Sequence, residues 1–425
     1  MATMLETLRG VTRNPGLRNR LLFTALMLII LRVGAHIPVP GVNLDRVQQI
    51  FQTGGYLGLI DLFSGGAFKQ FAIFAMSVGP YINSSIIIQL LTIVIPKWEE
   101  MQKEGEEGRK KLQEYTRYGT VVLGLIQAFG TALYLKNSGA YLHDNWTTLI
   151  VIMISLTAGT AFLMWLGEMI TEKGIGNGIS LIIFAGIVSR IPPAVVQMFE
   201  LVKAGSLNIF QVGLVAVLAI AIIAMVVLIL EGTRKIPVEY AKRVVGKRVY
   251  GGQRTHLPMK INQAGVIPVI FAQSLLLLPQ TIAQFWPSNR VTGFVMTYLK
   301  STSVTYWVIY ALLIIFFTYF YTAVTFNPTD IADNMKKNGG FIPGFRPGKP
   351  TADYLSRISD RITLVGSLFL AFIAVLPVAI ISLTGVTQAY LGSTTILIVV
   401  GVALETMKQI EAQMVMRHYQ GFLRS

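Results

Sequence analysis

The chain has no cysteine, only four histidines, and few charges: 13% of its 425 residues are Asp, Glu, Lys or Arg. Without cysteine there can be no disulfide and no thiolate-ligated metal, although this absence leaves the redox compartment open. His36, His143, His256 and His418 fall in loops or at the ends of apolar runs, and H-E-x-x-H, G-x-S-x-G and the phosphate-binding loop do not occur. An intramembrane hydrolase has nothing to work with here. The chain reads as a non-enzyme without a cofactor, and any energy it uses has to come from another protein. No apolar run carries a charge in its central turns, since Glu168, Arg190, Glu231 and Glu405 lie towards the ends. That weighs against an ion-coupled transporter, which keeps ionisable groups near the midplane.

What is present is apolar. A hydrophobic fraction of 53% and a mean hydropathy of +0.59 place the chain among integral membrane proteins. Runs of span length predict ten transmembrane helices, near 20–37, 71–96, 116–136, 147–170, 178–199, 209–231, 261–286, 304–326, 361–385 and 393–413. Arg9, Arg13, Arg18 and Arg20 precede or open the first run, which leads into no A-x-A-like site, so it is expected to remain as an anchor. Assigning the loops to alternate sides puts 27 of the 36 Lys and Arg on one face. Seven lie opposite, Arg46, Lys69, Lys136, Arg190, Lys203, Arg290 and Lys300, and Arg32 and Arg117 sit near span ends, which completes the 36. By the positive-inside rule both termini are cytoplasmic, and the net charge of +15 becomes a topology signal rather than a nucleic-acid one.

Ten spans divide into halves, 1–205 and 206–425, each of five. Five is odd, so the second half enters from the opposite side, as an inverted repeat does, and a pathway is expected at the interface of the halves. The fold class is therefore an all-α polytopic membrane protein with ten spans in two inverted five-helix halves.

The stretch from Leu57 to Pro96 shows where such a pathway would run. Leu57 to Phe68 contains Asp61 and breaks at Gly65-Gly66; at ~1.5 Å per residue it reaches only about halfway through a ~30 Å hydrocarbon core, which predicts a re-entrant half-helix. Phe71 to Pro96 is free of charge and long enough to span, with Gly79-Pro80 interrupting its first third and Asn83, Ser84, Ser85 and Gln89 in its middle. Irregular backbone beside polar groups at membrane depth needs protein or a water-filled cavity around it. The same polar groups could instead simply hydrogen-bond a neighbouring helix.

Two loops, 232–260 and 327–360, are longer and more basic than topology requires. The first carries Arg234-Lys235, Lys242-Arg243 and Lys247-Arg248, spaced so that a β-hairpin or an extended loop would hold its charges in water. The second carries Lys336-Lys337 and a turn-rich stretch from Gly339 to Gly348 that includes Arg346. Such loops could contact only anionic lipid, or they could dock a large cytoplasmic partner such as a ribonucleoprotein.

Several motifs in one order resemble the SecY family, the channel-forming subunits of the Sec translocon, over essentially the whole chain. They are Ile37-Pro38-Val39-Pro40-Gly41, Pro80-Tyr81-Ile82, Ser85-Ile86-Ile87-Ile88-Gln89-Leu90-Leu91 and Glu104-Gly105-Glu106-Glu107-Gly108-Arg109. Further along come Gly174-Ile175-Gly176-Asn177-Gly178-Ile179-Ser180, Tyr240-Ala241-Lys242-Arg243, His256-Leu257-Pro258, Ala264-Gly265-Val266-Ile267-Pro268 and Arg346-Pro347-Gly348. The bacterial form is the closer likeness. The resemblance implies a passive, multi-pass protein-conducting channel of the cell inner membrane. It implies a plug formed by Leu57, Ile60, Asp61, Leu62, Phe63, Ser64, Gly65 and Gly66. It implies a constriction ring of Ile82, Ile86, Ile183, Ile187, Ile270 and Ile398, and a lateral gate carrying Asn83, Ser84, Ser85, Gln89 and Gln273. Docking by Arg234, Lys235, Lys242, Arg243, Lys247, Arg248 and Arg346 is implied too, together with the partners SecE, SecG, the motor ATPase SecA, the ribosome, the polypeptide in transit and lipid. Competing readings are a small-solute transporter with an inverted repeat, and a lipid scramblase or scaffold; the missing midplane charges and the long basic loops argue against them.

Overall fold

Each of the ten apolar runs falls on a helix in a computed structural model of the chain, which describes residues 15–53, 61, 64–240, 243–245, 248–250, 254–283, 293, 295, 297–299, 303–384 and 393–422. In order the helices are α1 (Pro15–Gly34), α2 (Leu44–Thr53), α3 (Gly79–Val94), α4 (Pro96–Lys103), α5 (Glu106–Asn137), α6 (Trp146–Lys173), α7 (Gly178–Lys203) and α8 (Ile209–Glu231). The strands β1 (Thr233–Tyr240), β2 (Arg243–Val245), β3 (Arg248–Tyr250) and β4 (Arg254–Lys260) follow. The chain continues with α9 (Ile267–Ala283), α10 (Val304–Thr325), α11 (Pro328–Lys337), β5 (Gly340–Phe341), α12 (Lys349–Thr384) and α13 (Ser393–Phe422). By length and composition, α5 to α8, the stretch Val304–Lys337 and Lys349–Leu376 can each cross a membrane; the bent pair α3 and α4 makes a seventh candidate among the described residues.

The span expected from Phe71 starts at Gly79 instead. Residues 65–78 run as turns, with Phe71 (φ 42°) and Ser77 (φ 51°) in the left-handed region that a right-handed helix cannot contain. Gly79-Pro80 is thus the beginning of the helix rather than an interruption of it. Proline in the first turn loses no hydrogen bond and has its φ already set. At the other end Pro96 pushes Ile95 out of the helical region (φ −101°, ψ 108°), and the chain bends by 102° into α4.

The chain gathers into two units, one comprising 1–207, 273–306 and 402–425 and the other 208–272 and 307–401. In the first, α5 buries Thr116, Thr120, Gly124, Ala128 and Ala132, one small residue every fourth position. Lipid gives no hydrophobic drive to helix pairing, so close approach along such a stripe supplies the van der Waals contact that does. Beside Gly124, a Cβ would lie 3.7 Å from Thr157 on α6 and 4.0 Å from Pro80 on α3. Ala128→Leu, at a fully buried position, is expected to destabilise the protein by about 1–3 kcal/mol. Val122→Leu, on the exposed face of the same helix, is expected to leave it unchanged. Thermal unfolding of the detergent-purified chain measures both, and equal melting temperatures would show that α5 does not pack along this stripe.

In the second unit the two basic loops are one folded module. β1 pairs antiparallel with β4 from Thr233↔Lys260 to Glu239↔Arg254, and β5 adds on the other edge of β1 through Glu239↔Phe341 and Tyr240↔Gly340. A second small sheet joins β2 to β3. Ile236 and Val238 alternate inwards from β1 onto Met259, Ile342, Leu355, Ile358 and Ile362, while Arg234 and Lys235 stay exposed. The hairpin option for 232–260 is the one realised.

Candidate functional site

The segment expected to form a plug is built around one buried carboxylate. Leu57, Ile60, Leu62 and Phe63 lie outside the described residues. Asp61 is 2% exposed; its Oδ2 lies 2.9 Å from Nη1 of Arg190 on α7, and its Oδ1 accepts the Lys69 N–H at 2.8 Å. The Asp61 carbonyl accepts the Gly66 N–H at 3.1 Å and the Ser64 hydroxyl at 3.1 Å, so the backbone folds tightly around the acid. A second anchor sits four residues on. Arg32 of α1 donates to the Gly65 carbonyl at 3.0 Å; the Ser189 hydroxyl of α7, which donates to the Gly186 carbonyl at 2.7 Å, lies 3.4 Å from the same Gly65 oxygen. Gly65 has φ +65°, and a Cβ there would come within 2.7 Å of Gly186 Cα, so both the conformation and the approach demand glycine. A cavity of about 40 Å³ remains beside this contact, bordered by Arg32, Ser64, Gly65, Ser77 and Gly186.

Beyond the anchors the irregular segment is packed into protein. Ala67, Phe68, Phe71, Ala72, Ala75 and Val78 are buried, and the strap is pinned by Val39 N–H to Phe71 O (2.9 Å) and Ile73 N–H to Ile37 O (2.9 Å). Asp61, which argued against burial in lipid, is buried against an arginine instead. In the sequence Arg190 counts only as a topology charge and Arg32 only as a residue near a span end. A signal was nonetheless available: a lone acid in a re-entrant segment needs a counter-charge, and these two arginines have no acid close in sequence; Arg190, expected towards the end of its run, stands at the middle of the 26-residue α7.

The six isoleucines are all buried: Ile82 and Ile86 on α3, Ile183 and Ile187 on α7, Ile270 on α9 and Ile398 on α13. Ile29, Ile150 and Ile154, by contrast, are half or more exposed on outer helix faces. Of the polar cluster on α3, Ser84 donates to the Thr116 carbonyl of α5 at 2.8 Å, which is the neighbouring-helix bond considered from sequence. Ser85 accepts from Gln89 within α3 at 3.4 Å, and the buried Asn83 Oδ1 has no partner among the described residues. Gln273 is buried on α9. Of the docking set, Lys242 and Lys247 lie outside the described residues, while Arg243 and Arg248 open β2 and β3. Arg346 is exposed on a turn, its carbonyl held by the Thr351 hydroxyl at 2.8 Å, with the neighbouring Phe345 stacked on Tyr354 at 4.0 Å.

The family model described as SecY matches residues 72–407. The chain is 49% identical to the protein translocase subunit SecY of Bacillus subtilis (strain 168) over 432 residues, covering 99% of this chain and 100% of the relative. It is 44% identical to the subunit of the same name in Streptomyces lividans over 444 residues, covering 99% and 100%. A solved structure of a SecY protein, whose plug domain is reported to stabilise the closed channel and maintain a membrane seal, superposes with a TM-score of 0.66 at 20% identity, over 93% of this chain and 92% of that one. Sec61 in a canine ribosome–channel complex superposes with a TM-score of 0.61 at 19% identity, over 93% and 92%.

Proposed function

This chain belongs to the SecY family of protein translocase subunits, and from that premise we propose that it is the passive channel through which unfolded secretory polypeptides cross the cytoplasmic membrane. The observation that carries the reading is the irregular, packed segment 65–78, anchored at Gly65 by Arg32 and preceded by the Asp61–Arg190 pair, which this reading puts at membrane depth. Non-helical backbone is tolerated there only inside protein or along a water-filled path. A plug that fills such a path when no substrate is present accounts for both its burial and its lack of regular structure. Both termini and the basic module face the cytoplasm in this reading, and the two halves form an inverted repeat.

The proposed ring follows from what a polypeptide path needs. A wall that bound any one kind of side chain well would hold the substrate, whereas aliphatic groups offer weak, non-directional contact to all of them. Isoleucine is also stiff at χ1, which suits a gasket around a moving chain, and a narrow apolar constriction dewets when empty. Apolar substrate segments would leave sideways into lipid, which lowers their free energy by about 25 cal/mol per Å² removed from water, and charged segments would be refused. SecE and SecG would complete the membrane part, and SecA or a ribosome would supply the drive at the basic module.

Ile86→Asn and Ile398→Asn test the ring. Each puts a hydrogen-bonding group where the gasket is proposed, so a hydrated, more open path is favoured and export of substrates with weakened signal sequences is expected to rise several-fold. Variants that fold normally, judged by thermal unfolding, and export such substrates no better than the unmodified chain would reduce these isoleucines to ordinary packing.

A further inference from the structure

We infer that Arg190, together with Arg32 and Ser189, sets how readily the channel opens, by latching the plug segment at two points; the inference rests on the channel reading above. Among the described residues the Asp61 carboxylate forms an ion pair with Arg190 alone, at 2.9 Å, and Asp61 is almost completely shielded from solvent whereas the Arg190 side chain is 30% exposed. A carboxylate shielded to this degree is costly without its partner, so separating the pair disfavours any plug position that leaves Asp61 inside the protein. The second point is neutral on the plug side: the Gly65 carbonyl accepts from Arg32 at 3.0 Å, with the Ser189 hydroxyl, bonded to the Gly186 carbonyl, beside it at 3.4 Å. Arg32 further donates to the Ser189 hydroxyl at 3.3 Å, so α1, the plug and α7 share one hydrogen-bonded cluster.

The place of this cluster on α7 gives it a means of release. Pro192 and Pro193 follow within the helix, and neither has the N–H that would meet the carbonyls of Val188 and Ser189 one turn earlier. The turn that carries Ser189 and Arg190 is therefore the least tied turn of α7, and helices bend at such points. A bend there withdraws Ser189 and Arg190 from the plug together. A salt bridge that only knits the fold has no need to sit on such a turn or to share its cluster with the re-entrant segment.

The experiment is resting ion conductance in planar bilayers, with the chain assembled with its membrane subunits, for Asp61→Asn, Arg190→Gln, the exchange Asp61→Arg with Arg190→Asp, and deletion of residues 57–66 as the open reference. Each single substitution is expected to raise resting conductance about tenfold, the ratio that ~1.4 kcal/mol of lost closed-state preference gives. The exchange is expected to return it to near the original level, and Arg190→Lys to lie between. Single variants that stay closed while the deletion leaks would overturn the latch and leave the channel standing. An exchange as leaky as the singles would overturn the pairing, and a deletion that does not leak would overturn the channel reading itself. If the exchanged chain is not recovered, Asp61→Glu with Arg190→Lys keeps both charges and is expected to stay nearly closed; conductance equal to the singles would refute the pairing as well.

Discussion

Deletion of residues 57–66 is expected to leave a chain that folds but conducts ions at rest, with conductance rising on the order of a hundredfold, the ratio that corresponds to about 2.7 kcal/mol of closed-state preference. The deletion removes Asp61 and the Gly65 carbonyl together, so Arg32, Ser189 and Arg190 lose every plug contact at once. Refilling is restricted because the following strap is fixed: Phe71 and Ile73 are tied to Val39 and Ile37 by backbone hydrogen bonds, and Phe71, Ala72 and Ala75 are fully buried. Folding should survive because the α5–α6 seam and the backbone bonds of Phe71 and Ile73 to Val39 and Ile37 remain, while the N–H groups of Ala67, Phe68, Lys69 and Gln70 lose the acceptors they have on Asp61, Ser64 and Gly66. Single-channel recording in planar bilayers measures the result, and unchanged resting conductance would remove the plug from the account.

Arg346→Glu is expected to cut partner-driven export at least tenfold while leaving membrane insertion and abundance intact, with Arg346→Lys in between. The 327–361 segment carries five other Lys or Arg, each adding on the order of 1 kcal/mol of attraction to an anionic leaflet, so this charge is redundant for orientation. Its setting is not that of a loose loop. Gly344 and Gly348 take φ of +87° and +101°, the Thr351 hydroxyl holds the Arg346 carbonyl, and the Phe345 ring lies against Tyr354. A guanidinium presented from backbone held in this way can bind a partner carboxylate or phosphate bidentately, which an ammonium cannot copy. Export into inverted vesicles, with motor ATPase in excess, decides the matter: original rates for Arg346→Glu would return the turn to a topological role.

The parts of this architecture that were legible in the sequence are those whose cause is local. Span length and apolarity placed α8 to the residue, Ile209–Glu231, because Asn208 and Gln211 cap one end and Gly232 ends the other. The spacing of the basic pairs suggested a hairpin or an extended loop, and the glycines around Arg346 suggested its turn. The non-local parts were not legible. The start of α3 was misread by eight residues because Phe71 to Val78 is apolar enough for a helix, and only its pairing with the Ile37–Val39 segment shows it to be something else. The union of the two basic loops, and the choice of Arg190 as the partner of Asp61, depend on which distant segments meet. Periodicity in one sequence carries no information about that.

The strand pairing of the basic module also bears on when it can exist during synthesis. Glu239 of β1 pairs with Phe341 of β5, about 100 residues later, and the core beneath them is completed only by Leu355, Ile358 and Ile362. At ~5–20 residues per second, a ribosome needs roughly 5–20 s to travel from one strand to the other. Throughout that interval α9 and α10 have to be placed in the bilayer while β1 and β4 stand as a lone two-stranded hairpin, an arrangement with marginal stability of its own. The proposed docking face is thus a late product of translation. A nascent copy cannot complete it until the start of α12 has been made, so a half-built chain has no finished module to offer the partners proposed for it.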